Sequence, residues 1–355
     1  MQNNNASNKQ NLQSNYKKLL KPGYVIPFAI IAAVIAFMIM QDRSTDNLHS
    51  AYRVTMDTSV DLQFAHENRG FASSLEDEVF TEIDRLEKLF SRTIEDSDIN
   101  LINSSAGEKP ARISEEVLHV IEKALYYARL SEGYFDPTIA PLIDTWGFLG
   151  QQFRLPDQGE IDSAMELVDF NLVQVDRNSY TVFLPERGMS IELGGIAKGY
   201  IVDRALDILK NAGIEHAFIN VGGDIGLIGS KPDGEPWRIG VRHPREDAIV
   251  AVFPLSDGAV VTSGDYQRYF TENEVNYHHL LDPNTGYPAR KLISVTVVAD
   301  TVLEADALST AIFIMGPEKG LTLLENLPGV EGLLITPEFD ILLSSGLEDL
   351  VELDD

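Results

Sequence analysis

Cysteine is absent from all 355 residues, which removes disulfides, thiolate metal sites, a thiol nucleophile and a lipid-modified N-terminal cysteine together. Cations are scarce: 28 Lys and Arg stand against 55 Asp and Glu, a formal charge of −27. The deficit deepens in the body, because Lys9, Lys17, Lys18 and Lys21 all precede the first acid, Asp42. So acidic a chain excludes binding to nucleic-acid backbones, which rests on Lys and Arg neutralising phosphates. No internal repeat occurs, and no low-complexity tract beyond the N-terminus. What is present, 44% hydrophobic residues with 23% charged, describes a folded globule rather than a disordered chain. The roughly 300 residues after the N-terminal segment allow one large domain or two fused subdomains.

The N-terminus divides by composition. Residues 1–21 begin as an Asn/Gln/Ser-rich stretch expected to be disordered and end in Lys17, Lys18 and Lys21. Residues 22–41 carry no charge, with an apolar centre at Val25–Met40. An uncleaved signal-anchor, a cleaved signal peptide and a buried helix are the three readings; the absence of a small-x-small cleavage site in the following QDRSTDNLHS favours the anchor. Lysines before the segment, with Asp42, Arg43 and Asp46 after it, then place the body outside the cytoplasm, on the periplasmic side of a bacterial inner membrane. Residues 42–50 read as a linker to a domain spanning 51–350.

Within that domain, alternation predicts a strand over roughly 52–65. Ser74 is expected to cap a helix carrying Leu75, Val79, Ile83, Leu86, Leu89 and Phe90. A second helix starts at Ser114 and stops at Gly133, and a third covers 196–211. Strands are expected at 216–221, 237–242, 249–254, 259–262 and 293–299. Thr301 and Glu304 form a capping-box pattern before a helix ending at Met315, and two short strands follow near 331–336 and 340–344. Strands and helices mix without βαβ alternation, so the fold class is α+β.

Four stretches carry chemistry. Gly194–Tyr200 lacks the Ser/Thr and spacing of a P-loop, and Gly222–Gly226 leads into strand rather than helix, so neither is a nucleotide fingerprint. Their glycines mean tight turns or close approach to a ligand. Asp306 and Thr310 are four residues apart on one helix face; hard oxygens there suit Mg²⁺, and a solvated Asp with a Thr bonding its own helix is the alternative. His278 and His279 are neighbours expected on a strand, so only one can face a given site, as a general base or as a packed structural residue. Gly133–Thr138, with Trp146 and Phe148 beyond, offers either a ring-stacking pocket with a carboxylate or an aromatic loop.

Taken in order, these phrases resemble the ApbE family of FAD:protein FMN transferases. The likeness runs through Met56-Asp57-Thr58, Phe90-Ser91-Arg92, GYFDPT (133–138), IELGGIAKGYIVD (191–203), FINVGGDI (218–225), VTSGDYQRYF (261–270), HHLLDPNTGYPA (278–289) and ADALSTAIFIMG (305–316). The resemblance implies an ApbE-like fold of mixed sheets and packed helices, with an FAD cleft between two closely fused subdomains. It implies Mg²⁺-dependent transfer of FMN from FAD to a threonine hydroxyl of a target flavoprotein, releasing AMP. Targets would be membrane redox subunits, such as those of a sodium-translocating NADH:quinone reductase. It implies Met56, Tyr134, Phe135, Asp136, Glu192, Lys198 and Leu281 around FAD, Asp306, Thr310 and the Gly195 carbonyl on the metal, and His279 as the catalytic base. Two positions depart from the family: Asp57 replaces a glycine, and Thr93 replaces an aromatic residue that stacks on the flavin. The second departure keeps open an FAD pyrophosphatase using water as nucleophile; a non-catalytic flavin-binding protein is the remaining alternative.

Overall fold

Apolar strands that alternate, and one helix that is apolar all round, decide the architecture. A computed structural model describes residues 47–353 apart from Asp57 and Asp349. Residues 1–21 and the charge-free segment 22–41 lie outside the described residues. Among the described residues no helix is long and apolar enough to cross a membrane.

The main sheet has eight strands, β1 (Leu48–Thr55), β2 (Thr58–Ala65), β3 (Ala217–Val221), β4 (Asp224–Ile228), β5 (Gly258–Gly264), β6 (Ser294–Ala299), β7 (Glu331–Ile335) and β8 (Ile341–Leu343). They lie side by side in chain order. Pairing from β2 through β8 is antiparallel throughout, with Val60 opposite Val221, Val261 opposite Asp224 and Ser263 opposite Val295. The single strand expected at 52–65 is two, because Met56 adopts a left-handed φ of 54° and breaks it. β1 also begins at Leu48, inside the stretch read as linker.

Among the described residues, eight α-helices accompany the sheet: α1 (Arg69–Phe90), α2 (Asp98–Ser104), α3 (Glu115–Leu130), α4 (Ala140–Thr145), α5 (Gln158–Met165), α6 (Ala197–Asn211), α7 (Val302–Met315) and α8 (Pro317–Glu325). α1 starts earlier than expected: Asn68, not Ser74, is its cap, accepting from the Phe71 N–H at 3.0 Å. The helices at α2, α4, α5 and α8 had no expectation; three are short, and short runs give periodicity little to work with. α7 is buried on nearly every side, as its apolar sequence requires. It packs on β5, β6 and α6. Its contact with α6 depends on Gly199, where a Cβ would meet the Val302 carbonyl oxygen at 2.5 Å. Asp203 of α6 caps α7, its two oxygens accepting from the N–H groups of Val302 and Leu303 at 2.8 and 3.0 Å.

One apolar cluster joins β2, β3 and the helices, including Val60, Leu62, Ile83, Ile201 and Phe313. A second covers the other face of the sheet, where strands Trp237–Arg242 and Ile249–Leu255 contribute Trp237, Ile239 and Phe253. A third, smaller cluster gathers Trp146, Phe148, Ile161 and Leu281. From His49 onward these layers form one compact unit, so the cleft lies within a single body and not between two subdomains.

Candidate active site

The residues that the sequence singled out converge. Met56, Tyr134, Phe135, Asp136, Glu192, Gly195, Lys198, His279, Leu281, Asp306 and Thr310 all line one cleft of about 820 Å³. That lies near the upper end of ordinary ligand sites, about 300–1,000 Å³.

At one end, α7 presents Asp306 and Thr310 a helical turn apart. Asp306 is buried and accepts the Gly199 N–H at 3.1 Å, a contact that the glycine's close approach permits. Beside it lies Asp224, the first residue of β4, also buried and ion-paired to the Lys198 ammonium at 2.8 Å. Burial raises the Asp306 carboxyl, and the neighbouring Asp224 charge raises it further. Asp224 is raised by burial too, with Lys198 working against it. Burial would strip Lys198 of its proton, but the charges of Asp224 and then Asp306 outweigh that and keep it cationic. Two buried carboxylates thus crowd one ammonium, and their repulsion favours a proton or a bound cation between them. Hydroxyls complete the pole: Ser263 of β5 sits 2.9 Å from Ser309 and 3.4 Å from Thr310. Gly195 closes it, since a Cβ there would meet the Thr310 hydroxyl at 3.2 Å. Among the described residues no cluster of three or more His, Cys, Asp or Glu is arranged to hold a metal. Two crowded carboxylates and a hydroxyl nevertheless fit a hard cation that draws further ligands from water or phosphate.

The two histidines separate, although the expected strand stops at His278 and His279 lies in the bend after it. His278 ends the strand Val275–His278 and is buried, its Nε2 donating to the Ala289 carbonyl at 2.7 Å and its ring edge-on to Phe313. Burial pushes its pKa down to about 4, so it is neutral. His279 is half-buried on the cleft wall. Its backbone N–H and ring Nδ1 both meet the Arg268 carbonyl, at 3.1 and 3.2 Å. A carbonyl only accepts, so Nδ1 carries the proton and Nε2 is left basic. Burial, with His278 next, holds the ring well below 6.5.

The opposite wall is loop. Glu192 accepts the Gly194 N–H at 2.8 Å and the Arg92 guanidinium at 3.1 Å, and Arg92 reaches Asp144 at 2.7 Å. Asp136, expected to contact FAD directly, spends its carboxylate on the protein. It accepts from the Thr138 N–H and hydroxyl at 2.7 and 2.6 Å and from the Phe170 N–H at 3.2 Å, fixing the aromatic loop around Tyr134 and Phe135. Thr93 lines the cleft. Asp57, the other departure, lies outside the described residues. Gly222 has φ +61°, and a Cβ there would strike the Thr58 hydroxyl at 2.4 Å, so this glycine serves the turn from β3 to β4. Four cleft residues, Arg92, Asp224, Ser263 and Arg268, had been given no role from sequence. All four lie within the phrases that carry the family resemblance, and Asp224 also directly follows the paired glycines.

An antiparallel meander with a helical cover, opening on a cleft that has an acidic, hydroxyl-rich pole and a neutral histidine, defines an α+β protein built to hold a large ligand against a proton acceptor. Residues 56–334 match the family model of the ApbE family, and the chain belongs to that family. It is 34% identical over 307 residues to an FAD:protein FMN transferase of Klebsiella pneumoniae, covering 85% of this chain and 93% of the relative. To an FAD:protein FMN transferase of Treponema pallidum it is 33% identical over 293 residues, 78% and 80% of the two chains. Among solved structures, the ApbE protein of Thermotoga maritima superposes with a TM-score of 0.80 at 35% identity, covering 85% of this chain and 99% of that one. The flavin transferase ApbE from Vibrio cholerae gives 0.78 at 27%, with the same coverage.

Proposed function

We propose that this chain is an FAD:protein FMN transferase, binding FAD in the cleft and passing FMN to a threonine hydroxyl of a target flavoprotein, with AMP as leaving group. The convergence of the family's FAD, metal and base positions on one cleft carries this reading. Met56, Tyr134, Phe135 and Leu281 supply apolar contact for the ring system, and Glu192 and Lys198 the polar contact. Asp136 acts through the loop that it holds. Asp306 and Thr310, with the Gly195 carbonyl, would hold Mg²⁺, which when bound neutralises pyrophosphate charge and the departing AMP. His279 Nε2 accepts the proton of the attacking hydroxyl as the new O–P bond forms and the P–O bond to AMP breaks. The charge-free segment 22–41 behind lysines supports an inner-membrane anchor with the cleft on the periplasmic side. Membrane redox subunits, such as those of a sodium-translocating NADH:quinone reductase, are the acceptors that the reading favours.

Thr93 favours a second reading, an FAD pyrophosphatase, because an aromatic platform is missing beside the flavin. Incubating the protein with FAD, Mg²⁺ and a candidate acceptor subunit separates them. Flavinylated acceptor plus AMP supports transfer, free FMN plus AMP supports hydrolysis, and unchanged FAD sinks both.

A further inference from the structure

Three cations line the cleft, and two of them are already committed. Arg92 is held by Asp144 and Glu192, and Lys198 by Asp224. Arg268 also lines the cleft, yet among the described residues no carboxylate lies within ion-pair distance of it, in a chain where acids outnumber bases two to one. Its backbone carbonyl is the group that fixes both the N–H and the ring of His279. The Arg268 charge is felt at that ring, as is that of Lys198. One guanidinium N–H goes to the Phe148 carbonyl, which braces the side chain against the Trp146–Phe148 cluster and leaves donors of the fork unused.

An uncommitted, braced guanidinium beside the proton acceptor, in a cleft that also holds an acidic pole, is a seat for an anion. Guanidinium matches phosphate oxygens in charge and in fork geometry. Resting on the transferase reading above, we propose that Arg268 binds the phosphate that His279 serves, the FMN-side phosphate of FAD. As the acceptor O–P bond forms and the P–O bond to AMP breaks, the acceptor's proton passes to His279 while Arg268 keeps its own. It stabilises oxygen charge without entering the proton inventory.

Riboflavin and FMN differ only by the phosphate, so they isolate the contact. In Arg268→Gln, measured by flavin fluorescence with Mg²⁺ present, binding of FMN and FAD should weaken roughly ten- to a hundredfold while riboflavin binding stays unchanged. Arg268→Lys should recover part of the loss, and kcat/KM for transfer in Arg268→Gln should fall in parallel with FAD binding. Equal weakening of all three flavins would make Arg268 a strut for Phe148 and overturn the proposal, as would no weakening at all. Should the Gln variant misfold, Lys decides alone: weakened FMN and FAD with riboflavin unchanged supports the seat, whereas all three bound as by wild type, or all three weakened alike, overturns the claim. A wild-type protein that binds no FAD would instead sink the reading of the cleft itself.

Discussion

At one pole of the cleft, Asp224, Ser263, Asp306 and Thr310 stand on β4, β5 and α7. At the other, Arg92, Asp136 and Glu192 stand on irregular chain, cross-linked by a guanidinium to carboxylates 52 and 100 residues away. The two constructions suit two tasks. A reacting phosphate tolerates errors of only about 0.5 Å in the groups around it, and side chains on packed strands and helices meet that tolerance. A large ring and its adenosine tail need a wall that conforms, and loops tied by charge pairs provide one. The rigid pole should therefore fail abruptly when altered, and the loop pole by degrees.

Asp306→Ala tests the abrupt case. It removes one of two buried carboxylates and should lower FMN transfer by on the order of 10³ or more, with the fold intact by circular dichroism. A variant with unchanged rate and Mg²⁺ response would show that this pole holds no cation.

His279→Ala should cost about 10²–10⁴ in rate with FAD still bound, and His278→Ala much less. Because His279 is held well below 6.5, its neutral form persists through the physiological range, and the rate should stay level from neutral pH down past 6 before falling. A fall centred at 6.5 would place the ring in water rather than in the cleft wall. His278 adds a stability effect of definite sign. Its folded pKa lies near 4 against about 6.5 unfolded, so its contribution is complete above 6.5 and is lost as pH falls toward 4. Urea midpoints measured across that window should decline less in His278→Ala.

Asp203→Ala strips the cap from α7 and leaves two N–H groups without partners, so it should destabilise the protein by about 1–3 kcal/mol. Asp203→Asn should recover most of this; equal losses would assign the effect to charge instead of capping. The smallest effect belongs to the loop wall. Thr93→Tyr should tighten FAD by about 1 kcal/mol and shift turnover from hydrolysis toward transfer, checked by the ratio of flavinylated acceptor to free FMN.

What sequence reveals follows the same division. Asp306 and Thr310 were legible because helical periodicity puts i and i+4 on one face; the two histidines do part, but the strand expected to part them ends at His278. The central strands were legible from β-branched runs, though the break at Met56 was not, since no glycine or proline announces a left-handed methionine. Arg92 and Arg268 were missed for a physical reason: each is defined by partners far along the chain, Glu192 and Phe148, and no local spacing encodes such a contact. The Asp203 cap escaped in the same way, lying 99 residues from the amide that it serves. Asp136 shows the converse. Its motif was conspicuous, but conspicuousness did not say whether the carboxylate faces ligand or loop.

The meander carries a consequence for assembly. Its strands lie in chain order, yet the chain leaves β2 at Ala65 and returns to β3 only at Ala217. In entropy such an excursion is mild, since each doubling of loop length adds only about 0.6 kcal/mol, but pairing across it is slow. β3 through β8 close over much shorter connections, and they carry Asp224, Ser263, His279, Asp306 and Thr310. Pulsed hydrogen exchange during refolding should therefore find amides of β4–β6 protected before those of β2; simultaneous protection would contradict this order. In that order the two acids, the hydroxyls and His279 are assembled while the flavin still has nothing to lie against, and Met56 and Arg92, with Gly195 and Lys198, arrive as the long excursion docks.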